Sequence, residues 1–520
     1  MNRREFVEAL GVAALAGSAQ AVAAPGTVSA GYDPSEKSIA ELSRAQEQGH
    51  LSAEALTQAY LRRIGRYDRQ GPKIGAVLAL NPDALAAARA LDAERRAGKL
   101  RGPLHGIPLL IKDNVETRDP LPTTAGSLAL ATARHTEDAP VAAQLRAAGA
   151  VVIGKANLSE WANFRSSRST SGWSGVGGQT RCPYDPTRNP SGSSAGPAAG
   201  AAANLCAAAV GSETDGSILA PASLNGLVGL KPTVGLVSGV GVVPITTRQD
   251  TTGPMTRTVA DAALLMSVMA QPGVRWDGIG DLESKPAGLR LGVLPPPDST
   301  HPEVLNQSKE WFKLLQSEGF SLVEVLPPPG WNTLLEQEFQ VLLYDFKADL
   351  NAYLARFNGR LPVRTLADLI EFNNQHAAQE MPFFGQELFE QAENRGPRST
   401  PLYQKALQHI VDVSDTHGLA AVFAKYRLDA LVASGNGPAE LIDHVWGDRY
   451  ENSGGWPPMC SAAAVAGWPS LTVPAGFVDK LPVGIHFVAP RFREGRLLQI
   501  GRAFERARNA RRPPLLDAHA

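Results

Sequence analysis

Cysteine is scarce: Cys182, Cys206 and Cys460 are the only three in 520 residues, scattered and without a CxxC spacing. That excludes a disulfide framework and a thiolate metal centre, and the ten histidines form no close pair that would supply one. No metal and no cofactor are therefore expected. An excess of one charge is missing too. Lys and Arg total 50 against 51 Asp and Glu, for a net charge of -1, and no basic stripe marks nucleic acid as a partner. Repeats and linker compositions are also absent. What remains is 43% hydrophobic and 19% charged, an ordinary globular composition. The chain exceeds the usual size of one core, yet it reads as a single large domain over residues 24–520.

The first residues stand apart. Arg3-Arg4 precede an apolar stretch from Ala9 to Ala19, and Ala-x-Ala sites follow at Ala19-Gln-Ala21 and Ala21-Val-Ala23. The stretch is too short to span a bilayer comfortably, so no stable membrane anchor is expected. The pattern reads as a twin-arginine-type export signal over residues 1–23, cleaved after Ala23, with a periplasmic or secreted destination.

Helical spacing follows at Ile39–Gln48 and Ala53–Arg66, with Ser52 as an N-cap and Gly49 as a stop. Short apolar runs then alternate with helical segments. Residues 75–80, 106–111 and 150–154 read as buried strands, and 83–97 and 140–148 as helices. Runs at 429–433, 470–476 and 483–489 look like further strands of the same sheet, closed by a helix over 495–508. The pattern predicts an α/β fold, a large mixed sheet covered by helices on both faces. Its catalytic core would span about 75–270 and 427–505. Between these, about 273–426 is helical in tone and rich in aromatics (Trp311, Phe339, Tyr344, Phe346, Phe372, Phe383, Phe384). It is expected to form an inserted cap, whose aromatics serve either its own core or an apolar pocket.

Residues 166–200 are dense in Ser and Gly, which in isolation describes a flexible linker. Here the stretch feeds a small-residue helix from Pro197 and, after the apolar run 206–210, a second Gly/Ser turn, Gly211-Ser-Glu-Thr-Asp-Gly-Ser-Ile218. A phosphate loop needs Gly-Lys-[Ser/Thr], and no Lys follows these glycines. Gly192-Ser-Ser-Ala-Gly196 satisfies Gly-x-Ser-x-Gly, the nucleophile elbow of α/β hydrolases, centred on Ser194. An elbow should follow a strand, whereas Tyr184 to Pro190 is turn chemistry. An esterase using Ser194 with Asp443 and His444 or His486 stays open as an alternative, as does a non-catalytic binding protein.

Taken together, the segments resemble the amidase signature family. They are residues 106–114 (Gly-Ile-Pro-Leu-Leu-Ile-Lys-Asp-Asn), 178–185, 192–196, 211–218, 226–233 (Gly-Leu-Val-Gly-Leu-Lys-Pro-Thr) and 250–257. The turn at 213–218 and the segment 466–476 are most similar to the family's bacterial peptide amidases, which remove the C-terminal amide from peptides. The resemblance implies a catalytic lysine at Lys112, a bridging Ser193 reached through a cis peptide bond after Gly192, and a nucleophile at Ser217. It implies an oxyanion hole from the backbone N–H groups of Thr214, Asp215, Gly216 and Ser217, with Ser194 in support. Leu219 stands where tRNA-dependent and some fatty-amide members carry arginine, which weakens those two substrate readings. Ala195, Pro197 and Cys182 are further departures, none at a catalytic group. Aryl, fatty and other small amides stay open as substrates, and the oligomeric state is unknown.

The chemistry fits these residue types. A serine hydroxyl is a weak nucleophile near neutral pH and needs a base. Lysine, with an ordinary pKa of about 10.4, serves only where burial favours its neutral form. The plainer roles are a solvated strand-end lysine or a salt bridge to Asp113 for Lys112, and a helix cap for Ser193. Asp215 has two readings, a loop hydrogen bond or a contact to the substrate amide. Glu160 reads as a structural carboxylate at a helix start.

Overall fold

The computed structural model describes residues 32–284, 288–448 and 458–519. The export signal expected over 1–23 lies outside them. Thirteen strands form among the described residues: β1 Val77–Leu80, β2 Ile107–Lys112, β3 Ala150–Ala156, β4 Trp173–Ser174, β5 Gly178–Gln179, β6 Ala208–Glu213, β7 Val228–Lys231, β8 Thr251–Thr256, β9 Arg290–Val293, β10 Ser321–Glu324, β11 Ala430–Ser434, β12 Ser470–Val478 and β13 Leu481–Val488. Eleven make one sheet in the order β1-β3-β2-β6-β8-β7-β12-β13-β11-β9-β10, and β4 and β5 pair separately. The sheet is mixed. β3, β2 and β6 run parallel, β6 to β11 are joined by antiparallel pairings, and β11, β9 and β10 are again parallel.

Both faces of the sheet are covered, and β11 shows how. Ala430 and Val432 join one apolar cluster while Leu431 and Ala433 join another. Successive side chains of a strand point to opposite faces, so each face has its own core. This is why the strands read as short continuous apolar runs without alternation. The first helices sit where local chemistry puts them. Ser38 and Glu41 form a capping box ahead of Ile39–Glu47, and the Ser52 hydroxyl accepts from the Ala55 N–H at 3.0 Å ahead of Ala53–Arg63.

The segment 273–426 is not wholly a helical cap. β9 and β10, with helix Pro302–Ser317 between them, extend the main sheet at its edge. They are four residues long, partly exposed, and lie near the proline runs Pro295-Pro-Pro297 and Pro327-Pro-Pro329, so their pattern is too short to register. The cap proper starts at the long helix Trp331–Ala355. β7 and β8 also escape a periodicity reading, since Gly253-Pro254 inside β8 resembles a turn.

Candidate active site

The parallel pairing of β2 and β6 sets Ile111 opposite Val210, so the carboxyl ends of two neighbouring strands place Lys112 beside Ser212. Ligands of open α/β sheets bind at such strand ends. Lys112 Nζ lies 2.8 Å from Ser193 Oγ, 3.0 Å from Ser212 Oγ and 3.1 Å from Ser212 O. Lys112 Nζ thus has three hydrogen-bond partners, the Ser193 hydroxyl and the hydroxyl and carbonyl of Ser212. Lys112 is fully buried. Burial pushes its amine down to about 7, against the opposing pull of Asp250 and Glu213. Asp113 does not pair with it and stands 3.6 Å from the equally buried Lys155. Nothing in the local sequence marks Ser212. It falls inside the family-like segment 211–218, and only the strand register shows that it meets Lys112.

Ser193 is buried beside Lys112, and the Gly192–Ser193 peptide bond is cis. Gly192 is needed for close approach: a Cβ there would stand 2.2 Å from Ser159 Oγ. Ser194 ties the two serine loops together. Its hydroxyl donates to Ser212 O at 2.9 Å and accepts from Ser212 N–H at 3.1 Å, while its own N–H donates to Ser217 O at 3.2 Å. Residues ahead of it form turns, not a strand. Pro197 occupies the first turn of helix Ala195–Ala202, where its missing N–H has no intrahelical partner to lose.

Ser217 sits on the turn between β6 and helix Leu219–Leu224. Gly216 has φ 80°, a conformation that favours glycine. Glu213 organises the turn from below. Its carboxylate accepts the N–H of Ile218 at 2.6 Å and of Leu219 at 3.0 Å, and the Gly216 N–H faces it as well. Burial raises Glu213, with Lys231 opposing, and burial pushes Lys231 down to about 8. Asp250 holds the other side, accepting from Thr214 Oγ1 at 2.6 Å and from Ile245 N–H at 2.9 Å, and burial pushes it up to about 7. None of Glu213, Lys231 and Asp250 stands out in composition, although all three fall inside the family-like segments.

A cavity of about 380 Å³ opens over this turn, a volume suited to a small organic ligand or part of a peptide. Gly192, Asp215, Gly216 and Ser217 line it, with Leu335 from the long cap helix and Ser461 from helix Pro458–Val465. Ser194 does not. The aromatics of the 273–426 segment do not line it either. Trp311 belongs to the main core, and Phe346 stacks on Phe389 at 5.2 Å inside the cap. The histidines of the elbow alternative bond elsewhere, His486 to Asn436 Oδ1 at 3.3 Å and His444 to Gln179 Oε1 at 2.9 Å. Burial also pushes His486 down to about 3. Glu160 opens a short 3₁₀ turn and is buried 2.8 Å from Arg165 Nε, a structural role. Cys182 is buried, and its thiol is pushed up to about 11 by burial, which leaves it inert.

The architecture recurs in known proteins. The native peptide amidase from Stenotrophomonas maltophilia is 45% identical, covers 93% of this chain and 99% of its own, and superposes with a TM-score of 0.86. A structure of a peptide amidase with the competitive inhibitor chymostatin matches with a TM-score of 0.87 at 45% identity, covering 92% of this chain and 99% of its own. An Arabidopsis thaliana protein named a probable amidase is 37% identical over 94% of this chain and 93% of its own length. The amidase family model matches residues 55–498, and with the eleven-stranded mixed sheet in place the chain belongs to the amidase signature family, hydrolases of amide bonds.

Proposed function

We propose that the enzyme cleaves amides through Ser217, with Ser193 relaying the proton to an uncharged Lys112, and that its substrates are peptides bearing a C-terminal amide. The observation that carries the mechanism is the 2.8 Å contact of Lys112 Nζ with Ser193 Oγ in a water-excluded site, beside a cavity that Ser217 lines. Ser217 Oγ attacks the carbonyl carbon. Its proton passes to Ser193 as the Ser193 proton passes to Lys112. The oxyanion is received by N–H groups of Thr214, Asp215, Gly216 and Ser217. Because the Gly216 N–H also faces Glu213, more of this duty rests on its neighbours. The proton returns through Ser193 to the leaving nitrogen, ammonia departs, and water hydrolyses the acyl-enzyme.

The peptide reading is supported by the likeness to the Stenotrophomonas maltophilia enzyme, and by polar and apolar groups together on the cavity wall, Asn163 and Asn436 with Ala220 and Leu224. Ammonia release from peptide amides, fatty amides and aryl amides tests it. Peptide amides should lead in kcat/KM by about tenfold or more, the discrimination a few well-placed contacts supply. A preference for fatty or aryl amides overturns the peptide reading and leaves the amidase intact.

Residues 1–23 are proposed to export the folded enzyme. The mature protein recovered from the periplasm or medium should begin at Ala24, and replacing Arg3-Arg4 with two lysines should hold the precursor inside the cell. An intact N-terminus on the exported protein, or unaffected export of the double-lysine variant, removes this assignment.

A further inference from the structure

The cap meets the Ser217 turn through two acids. Glu338, in the second turn of helix Trp331–Ala355, is 3% exposed. Its Oε1 accepts from Gln249 Nε2 at 2.6 Å, and that nitrogen also stands 3.4 Å from Thr214 O, so Gln249 spans the cap helix and the catalytic turn. The Glu338 carboxyl faces Asp215, which also receives the Ser461 hydroxyl. Asp215 lines the cavity two residues before Ser217, and its Oδ1 is buried with no amide, hydroxyl or ammonium donor among the described residues.

Two buried carboxyl groups in contact do not both ionise. An orphaned acceptor beside an acid is satisfied if that acid keeps its proton. Ser461 and Lys231 favour the charged form of Asp215, against Glu213, whereas Gln249 alone does so for Glu338. The proton therefore sits on Glu338. The other ionisable groups facing the pair are Glu213 and Lys231 from the ends of β6 and β7, and Cys460 beside Ser461.

We propose that Glu338 is a positioning residue for hydrolysis: as a neutral acid it donates a hydrogen bond to Asp215 and fixes the cavity wall beside Ser217 to the cap. The assignment rests on Ser217 as nucleophile. The protonated form is the competent one, so activity declines as pH rises through the titration of Glu338. Burial and the Asp215 charge hold that titration well above the ordinary carboxyl range.

The test is kcat/KM for a peptide amide across the neutral and alkaline range in the wild type, Glu338→Gln and Glu338→Leu, with melting temperatures alongside. Glutamine keeps a donor for Asp215 and an acceptor for Gln249, but it does not ionise. Its kcat/KM should match the wild type near neutrality and persist to higher pH. Leucine removes both hydrogen bonds and should lose about tenfold, the effect of one hydrogen bond to a charged group. The proposal is overturned if glutamine loses as much as leucine, if leucine matches the wild type, or if glutamine keeps the alkaline decline of the wild type. Should leucine not fold, the glutamine profile decides alone. Activity surviving in a Ser217→Ala variant removes the nucleophile assignment by itself, whatever the Glu338 profiles show.

Discussion

Replacing Ser217 with alanine should lower kcat on the order of 10⁶-fold, the scale on which a serine hydrolase loses turnover with its nucleophile, while Ser194→Ala should retain the chemistry. The contrast follows from where the two hydroxyls stand. Ser217 lines the cavity on a turn whose amides are held by Glu213. Ser194 is fully buried, and its hydroxyl is committed to the backbone of Ser212 in both directions. Alanine at 194 removes two hydrogen bonds of roughly 0.5–1.5 kcal/mol each and loosens the strand that presents Ser212 to Lys112. The expected result is a lower melting temperature with a modest loss of kcat. Steady-state ammonia release and thermal unfolding of both variants separate the alternatives. A dead Ser194 variant beside a fully active Ser217 variant would overturn the mechanism and restore the elbow reading.

The two serine loops also show how far the sequence could be read. The central strands were legible because each is a short apolar run buried on both faces, and the helix start at Ser52 was legible because capping is local chemistry. The edge strands β9 and β10 were not, since four half-covered residues carry too little pattern to separate from a helical cap. The family-like motifs singled out Lys112, Ser193 and Ser217 as candidates, and the structure sets Lys112 against Ser193, and Ser217 on the cavity wall. The residues that make their environment could not be placed that way: Ser212 reaches Lys112 only through the parallel register of β2 and β6, and Glu338 reaches Asp215 across more than a hundred residues. Long-range pairing is decided by topology, and no local spacing reports it. The cap aromatics illustrate the converse. Composition marked them as unusual, but packing inside the cap and core accounts for Trp311, Phe339, Tyr344, Phe346 and Phe372, while Phe383 and Phe384 lie against Trp173.

Lys112 should make the enzyme's activity and its stability respond to pH, each in a defined direction. Only the neutral amine accepts a proton, and burial places its titration near 7. Hence kcat/KM should rise with pH through about 7 before any alkaline decline, and a profile flat across that range would remove Lys112 as the base. Lys112→Met should lower kcat by about 10²–10⁴-fold, the usual contribution of a general base. The same substitution should not destabilise the fold. The unfolded lysine, with an ordinary value of 10.5 against about 7 when folded, holds a proton that the native state lacks between those two pH values. Stability therefore increases with pH across that window. At neutral pH the wild type carries a penalty on the order of 4 kcal/mol, since tenfold in proton affinity corresponds to about 1.4 kcal/mol. Methionine escapes that penalty but leaves the Ser193 hydroxyl without Lys112, at about 1–3 kcal/mol for an unsatisfied buried group, while Ser212 keeps Ser194 and Asn114. The balance favours the variant near pH 7, and its advantage should shrink toward pH 10. Urea unfolding of both proteins at these two pH values measures it. A variant less stable than the wild type at neutral pH, by the same margin as at alkaline pH, would mean that Lys112 is buried as the charged form and cannot be the base.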